Sequence, residues 1–229
     1  MTAFYNPFSY RRINRWLNIV KPDVVHIHNW HYSASPAIIR AVKKRGIPVV
    51  HTLHNFRLLC PSGTMLHNNV ISSDYLRNRF PWQSVRNRAY RNSYLQTFWL
   101  ASVIWFHKTI GTWKSVDKFI ALTEHAKSIF QSSDIFTKEK IVVKPNFIAN
   151  IPSEECERQS HFLFTGRLSV EKGLDVLLTA FANSGHTLKI IGDGPLRGLV
   201  ENYVSNHKNI IYLGFKNKNE IINELKVCT

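Results

Sequence analysis

The stretch FTGRLSVEKGLDVLLTAF, Phe164 to Phe181, carries the strand–turn–helix pattern that decides the fold. Its apolar run ends at a Thr-Gly pair, and apolar residues at helical spacing follow the turn. Arg167 comes directly after the strand, and Lys172 lies at the mouth of the helix. Two neighbouring cations repel each other unless an anion lies near them, and helix N-termini attract phosphate groups. The spacing alone is equally compatible with two solvated surface cations.

The same alternation of strand and helix continues on both sides of this stretch. Towards the C-terminus, TLKII and NIIYLGF are typical of strands, while GDGPLR and NEIINELK lead into or form helices. Towards the N-terminus, PDVVHIHN, IPVVHTLH, DKFIALTE and KIVVKPNFI are typical of strands. Strands that alternate with helices indicate parallel α/β sheets. Residues 151–160 are polar and aperiodic, so we predict a domain over 1–150, a linker over 151–160 and a second domain over 161–229.

Three glycine-containing turns follow strands of the second domain, namely TGR, GDGPLR and LGF. Ligands of parallel sheets bind at the carboxyl ends of the strands, and glycine lets the backbone approach them closely. Arg167 can bind two phosphate oxygens, and Lys172 can add a point charge. The pattern therefore favours a diphosphate, although glycines at strand ends are common in any α/β protein. Neither GxGxxG nor GxxxxGK[ST] is present, which disfavours dinucleotide and P-loop nucleotide binding.

An ordered series of motifs resembles one enzyme family. GRLSVEKGLDVLLTAF, LKIIGDGP and NIIYLGF are similar to the C-terminal donor-binding domain of GT-B glycosyltransferases of family 4. PDVVHIHN, IPVVHTLHNFRLLCPSG, FIALTEHAK and VKPNFI resemble the acceptor-side domain of the bacterial polysaccharide-assembling members. The resemblance covers nearly the whole chain. It implies an α/β fold of two Rossmann-like domains, both incomplete in this chain.

The resemblance also implies an activity and a set of site residues. Members transfer a sugar from a nucleotide diphosphate-sugar to a polysaccharide or lipid-linked precursor with retention of configuration, without a cofactor and generally without a metal. His54 is similar to the catalytic histidine of the family, and His28 is implied to line the cleft. The donor-binding residues implied by the motifs are Gly166, Arg167, Lys172, Gly192, Gly194 and Phe215.

Simpler interpretations of the histidines and of one cysteine remain open. A histidine at a strand end, such as His54, is often a hydrogen-bonded surface group. His26 and His28 share one face of their strand because side chains alternate with a period of two. This pair is typical of metal sites, but no third ligand is evident in the sequence. Cys60 is interpreted as a small buried residue, since no base that would activate it can be identified.

The formal net charge of +15 is concentrated in the first half of the chain. Residues 1–118 contain 17 lysines and arginines against three acidic residues, whereas residues 119–229 contain 13 against 12. Such an imbalance indicates a polyanionic partner for the first half: an anionic membrane, a nucleic acid or a phosphorylated substrate.

A basic and aromatic insert spans about residues 60–115. Tryptophans interleaved with arginines are typical of a membrane interface, where cations meet anionic lipid. Nucleic acid is disfavoured because no RNP, KH or OB pattern accompanies them. A further alternative is that the aromatic residues pack the domain core and the arginines are solvated. The residues predicted to contact an anionic membrane are Arg77, Arg79, Trp82, Arg86, Arg88, Arg91 and Trp99.

Cysteine usage and hydrophobicity indicate the compartment. Cys60, Cys156 and Cys228 are too widely spaced for a disulfide framework or a metal pair, which favours a reducing cytoplasm. The longest mostly apolar stretch, Leu95 to Phe106, has 12 residues, whereas a bilayer span needs roughly 20. We therefore expect a cytoplasmic protein that is peripheral at the inner membrane face.

The resemblance implies more chain than the 229 residues present. A first strand with a glycine-rich loop and a later helix with two glutamates would complete the two domains. We therefore expect a chain truncated at both ends, with weak or absent transferase activity. The alternative function is a non-catalytic basic protein that keeps the fold and binds a membrane surface or nucleic acid.

Overall fold

Parallel strands form the centre of two separate units in the computed structural model, Met1–Phe147 and Ile148–Thr229. The structure describes residues 3–29, 34–67, 70–71, 80–133, 135–147 and 157–228. Most of the linker predicted over residues 151–160 lies outside the described residues.

Unit 1, Met1–Phe147, is built on a four-stranded parallel sheet. It also contains a short antiparallel sheet of two strands. Its elements are α1 (Pro7–Val20), β1 (Val25–His28), α2 (Ala37–Lys43), β2 (Val49–Leu53), β3 (Leu66–His67), β4 (Val70–Ile71), α3 (Trp82–Arg86), α4 (Tyr94–Thr109), β5 (Lys118–Ala121), α5 (Glu124–Gln131) and β6 (Ile141–Val143). The sheet order is β1-β2-β5-β6, and β3 pairs with β4.

Local sequence signals explain where the helices of unit 1 begin. The Asn6 side chain accepts a hydrogen bond from the backbone of Ser9 at 3.0 Å, and Pro7 occupies the first helical position of α1. The Thr123 hydroxyl accepts from the Ala126 backbone in the same way at the start of α5. These side chains satisfy backbone donors that the first helical turn leaves unpaired.

The core of unit 1 lies on one side of its parallel sheet. Ile27, Val49 and Phe119 on the strands pack with residues of α1, α2 and α5. The long helix α4 also contributes, because Leu100, Ala101, Val103 and Ile104 are fully buried. The predicted insert therefore supplies core residues to unit 1 as well as surface.

Unit 2, Ile148–Thr229, repeats the α/β pattern with three parallel strands in the order β7-β8-β9. Its core consists of Leu168, Leu174, Leu178, Leu188, Ile190, Val200 and Ile210. Its elements are β7 (His161–Thr165), α6 (Leu174–Ala182), β8 (Thr187–Ile191), α7 (Arg197–Asn206), β9 (Ile210–Tyr212) and α8 (Lys218–Val227).

The helix that was predicted to have Lys172 at its mouth begins two residues further on, at Leu174. A 3-10 turn, Val170–Lys172, is followed by Gly173 with φ of 64°, and the regular α-helix starts at Leu174. Glycine takes this left-handed conformation without steric cost, so the chain changes direction there. Lys172 consequently lies in the turn before α6 and not in its first turn.

Among the residues described, no helix is long and apolar enough to cross a membrane.

Candidate functional site

A cleft of about 290 Å³ opens at the carboxyl ends of the strands of unit 2. The loops that follow β7, β8 and β9 form it, as expected for a ligand site of a parallel sheet. Four of the predicted donor-binding residues, Gly166, Arg167, Gly192 and Phe215, lie around it. Its full lining is Thr165, Gly166, Arg167, Ile191, Gly192, Asp193, Phe215, Lys216 and Ile221.

The glycines of this cleft let the loops after β7 and β8 approach each other. The Gly166 backbone donates to the Ile191 carbonyl at 3.0 Å, and the Gly192 backbone donates to the Gly214 carbonyl at 2.9 Å. A Cβ added at Gly192 would overlap the carbonyl oxygen of Gly166. A Cβ at Gly194 would overlap the carbonyl of Leu168 in the same way, so these two glycines have a packing role.

Arg167 and Lys172 are both exposed, and Arg167 lies at the cleft. Lys172 and Gly194 are not part of the cleft lining. The Ser169 hydroxyl donates to the Glu171 carboxylate at 2.7 Å and lowers its pKa. The positive charges of Arg167 and Lys172 lower that pKa further, which places both cations within electrostatic reach of one carboxylate. The Glu171 carboxylate therefore balances part of the positive charge of Arg167 and Lys172.

The structure adds two charged residues to the cleft that sequence reasoning missed. Lys216 follows Phe215 directly, and its ammonium lies 2.9 Å from the Glu220 carboxylate. Glu220 also accepts a hydrogen bond from the Asn217 backbone, which completes a capping box at the start of α8. Asp193 lies within the GDG turn, and its Oδ1 accepts from the Gly194 backbone at 2.8 Å. The sequence signal that could have identified Lys216 is its position directly after the LGF turn.

Unit 1 brings the two predicted histidines together. His28 ends β1 and His54 follows β2, its parallel neighbour, so both side chains lie at the carboxyl edge of the sheet. His28 Nδ1 and His54 Nε2 are 2.9 Å apart and share a hydrogen bond, and both residues are exposed. The His26 ring lies 4.1 Å from that of His28, and its Nε2 pairs with the Thr52 hydroxyl at 2.8 Å. Burial and the charges of His28, His54 and Lys144 lower the pKa of His26.

A fourth histidine of this region, His51, was not singled out from the sequence. It is 2% exposed and lies on the opposite face of β2, near the rings of Trp113 and Phe119. Burial, together with the charges of His26, His54 and His28, lowers its pKa to about 4. Its Nδ1 has no hydrogen-bond partner among the described residues. His51 is therefore neutral at physiological pH.

Within the described part of the chain, no group of three or more histidine, cysteine or acidic residues has an arrangement that could hold a metal ion. The three exposed histidines do not form such a group. The expectation that the reaction needs no metal stays a prediction.

The structure describes five of the seven residues that were predicted to contact a membrane. Trp82 of α3 is 57% exposed and Trp99 of α4 is 36% exposed. Arg86 at the end of α3 is exposed, as are Arg88 and Arg91 between the two helices. Arg77 and Arg79 lie outside the described residues.

A comparison with protein families matches residues 2–149 to the model described as Glycosyltransferase Family 4. Among curated proteins, an uncharacterized glycosyltransferase of Methanocaldococcus jannaschii is 23% identical over 223 residues. The match covers 94% of this chain and 59% of that protein. The chain thus spans about three fifths of the curated relative's length.

Two solved glycosyltransferase structures resemble the fold. The pneumococcal O-GlcNAc transferase GtfA, in complex with UDP and GlcNAc, has a TM-score of 0.58 at 15% identity. The TarM crystal structure has a TM-score of 0.56 at 12% identity. The matches cover 93% and 94% of this chain but 38% of each solved chain. This similarity confirms the predicted α/β class with Rossmann-like domains of the GT-B type.

Proposed function

The chain belongs to glycosyltransferase family 4, and on that premise we propose that the protein transfers a sugar from a nucleotide diphosphate-sugar to a saccharide or lipid-linked acceptor. The proposal includes retention of the anomeric configuration. It also includes a cytoplasmic location at the inner face of a membrane, where a lipid-linked acceptor would be found.

The observation that carries this proposal is the cleft of unit 2. It combines close backbone approach at Gly166 and Gly192, an exposed guanidinium at Arg167 and a second cation at Lys216. Phe215 is 79% exposed and offers an aromatic face at the same opening. Cations beside a flat apolar surface are what a nucleoside diphosphate requires.

The chemistry follows from the charge that develops during transfer. The bond between the anomeric carbon and the β-phosphate oxygen breaks, and its electron pair stays on the departing nucleotide. A new bond joins the anomeric carbon to the acceptor oxygen, whose hydroxyl proton is released. Arg167 would stabilise the departing diphosphate, and Lys172 would add a longer-range positive charge. Cations held in position before the reaction need no rearrangement when that negative charge appears.

The histidines of unit 1 would serve the other substrate. The hydrogen bond between His28 and His54 fixes the orientation of both rings at the carboxyl edge of the sheet. We place His54 as the group that contacts the transferred sugar or the acceptor, with His28 positioning it. An imidazole can donate to a sugar hydroxyl or accept from it at neutral pH.

The solved relatives support the choice of donor. GtfA was crystallised with UDP and GlcNAc, and a structure of S. aureus TarM contains UDP and alpha-GlcNAc-glycerol. The TarM complex has a TM-score of 0.53 at 12% identity. A nucleoside diphosphate is therefore the first ligand to test.

Calorimetric titration with UDP and with GDP tests the proposal, because the cleft of unit 2 is the proposed nucleotide site. We expect saturable binding of at least one nucleotide. Arg167→Ala should weaken it about tenfold or more, since a hydrogen bond to a charged group contributes about 1.5–3 kcal/mol. Lys172→Ala should have a smaller effect because Lys172 lies outside the cleft lining.

Arg158→Ala is the matched control, since Arg158 is an exposed arginine of unit 2 outside the cleft. It should leave nucleotide affinity unchanged. Absence of saturable binding to either nucleotide, or an equal loss in Arg158→Ala and Arg167→Ala, would contradict the proposed donor site.

A further inference from the structure

Helix α4 of unit 1 has large apolar side chains on its exposed face as well as on its buried face. Its lysine, Lys108, and its histidine, His107, are buried at 5% and 2% exposure. Lys108 donates to the Leu59 carbonyl at 3.0 Å, and burial lowers its pKa to about 8. By contrast, Leu95 at the start of the helix is 83% exposed. A normal surface helix buries its apolar side chains and exposes its charges.

The outward face of α4 is uncharged and mostly apolar. Exposed side chains recur with helical spacing on one face of this helix of 16 residues, which is about 24 Å long. None of the outward side chains carries a charge. The large apolar side chains of this outer face are Tyr94, Leu95, Phe98, Trp99, Trp105 and Phe106.

Aromatic residues of the preceding segment extend this face. The ring of Phe80 lies 4.6 Å from that of Trp82, 5.7 Å from Phe98 and 6.0 Å from Trp105. Trp82, at the start of α3, is itself 57% exposed. The result is one contiguous aromatic surface formed by α3 and α4, which monomeric proteins rarely leave in water.

Arginines border this surface, and aromatic rings hold them in place. The Arg88 guanidinium lies 4.2 Å from the centre of the Tyr94 ring, and that of Arg91 lies 5.3 Å from the Tyr90 ring. A groove of about 370 Å³ runs where Arg91 meets Leu95 and Trp99. The sequence between Phe80 and Val116 contains no acidic residue. Charge complementarity therefore selects an anionic occupant.

We propose that the outer face of α4, with Trp82 and the bordering Arg88 and Arg91, inserts into the headgroup layer of an anionic membrane. The helix lies along the interface, with its aromatic side chains among the upper acyl chains and its arginines on lipid phosphates. The groove beside Arg91 accommodates a phosphate-bearing headgroup. This inference deepens the proposed function, because a lipid-linked acceptor would lie in the same membrane. It rests on the proposed function only for the identity of that acceptor.

Vesicle binding tests the insertion directly. Phosphatidylcholine vesicles with and without phosphatidylglycerol are prepared with brominated acyl chains, which quench tryptophan fluorescence on contact. We expect quenching of the full chain by the anionic vesicles. Leu95→Gln should weaken that binding about tenfold, because it removes an inserted apolar side chain. Arg88→Gln and Arg91→Gln should each weaken it about fivefold, from the loss of one cation at the surface.

Controls of the same chemistry come from unit 2. Val176→Gln changes an apolar residue that is 70% exposed on α6, and Lys208→Gln removes an exposed cation. Neither should change vesicle binding. The fold of each variant is checked by circular dichroism, and UDP and GDP titration of the same samples separates the two proposals. Vesicle binding without nucleotide binding would reject only the proposed donor site, and the reverse result would reject only this membrane face.

Three outcomes would overturn the membrane assignment. The first is the absence of quenching by anionic brominated vesicles. The second is self-association without lipid that Leu95→Gln abolishes, which would assign the face to a second copy of the chain. The third is oligonucleotide binding that depends on Leu95 and Arg88 while vesicle binding does not.

Discussion

His51 and His107 are two buried histidines whose protonation opposes folding. Burial lowers the pKa of each to about 4 from an ordinary value of 6.5. His107 Nδ1 pairs with the Thr112 hydroxyl at 3.0 Å, and both histidines lie near the ring of Trp113. The unfolded chain therefore binds protons at these positions between pH 6.5 and 4, and the folded chain does not.

This difference predicts acid sensitivity of unit 1. Because the unfolded state binds more protons in that window, the free energy of unfolding falls as the pH is lowered. From pH 7 to pH 5 the loss is roughly 2 kcal/mol for His51 alone. His51→Phe should remove that contribution and flatten the pH dependence. Urea unfolding followed by tryptophan fluorescence measures it, since all six tryptophans lie in residues 1–118.

The control for this pH dependence is His186→Gln, which changes an exposed histidine of unit 2. Only the slope of the free energy of unfolding against pH is compared between the variants. A change of stability in His51→Phe that is the same at every pH therefore does not affect the result. An unchanged slope in His51→Phe would show that His51 is not the buried neutral group described.

Some residues of the site could be predicted from the sequence, because they are glycines or charged residues at the ends of predicted strands. Gly166, Gly192 and Arg167 lie at predicted strand ends, and the structure places all three at one cleft. Lys216 was missed because its location depends on the turn into α8 and on its ion pair with Glu220. The role of each residue in donor binding stays a prediction.

At the scale of elements, the turns after β7 and β8 are packed against each other through glycines. Gly192→Ala should destabilise unit 2 by about 1–3 kcal/mol, because its Cβ would overlap the Gly166 carbonyl and force the loops apart. Gly198 in α7 has nothing near its missing Cβ. Gly198→Ala should therefore be neutral or stabilise the helix by up to about 1 kcal/mol.

Hydrogen exchange of the amides of β8, Thr187–Ile191, measures both changes. Faster exchange in Gly192→Ala, with no acceleration in Gly198→Ala, is the expected result. Equal protection in the two variants would mean that the loops can move apart without cost, and the packing role of Gly192 would be wrong.

The sequence pattern of α4 could not predict which face of this helix is buried. Leu95 to Phe106 was identified as apolar and too short to span a bilayer, and it lies within the α4 helix Tyr94–Thr109. A helix that is apolar on all sides has no periodic signal for its buried face. Burial of Leu100, Ala101 and Ile104 against unit 1 selected that face and left the aromatic residues outside.

At the scale of the whole molecule, the charge is divided unevenly along the chain. Residues 1–118 carry 17 basic and three acidic residues, while residues 119–229 are nearly balanced at 13 and 12. Attraction between the basic half and an anionic surface is screened by salt, whereas insertion of apolar side chains is not.

Salt should therefore act on only part of the vesicle affinity. Raising the salt from low concentration to about 0.3 M shortens the screening length and should weaken binding to anionic vesicles about tenfold or more. The residual binding should retain its dependence on Leu95. Co-sedimentation at the two salt concentrations measures this, with pure phosphatidylcholine as the uncharged control. Salt-independent binding would contradict the electrostatic contribution.

The sequence by itself determined the parallel α/β class, the strands of the two parallel sheets, the family motifs and the basic character of the first half. These properties depend on neighbours along the chain, through side-chain period, turn residues and formal charge. Only the tertiary structure decided that His28 and His54 share a hydrogen bond, that Lys216 joins the cleft and that α4 presents aromatic residues outward. These properties depend on contacts between residues distant in sequence, and packing selects them when the sheets and helices come together.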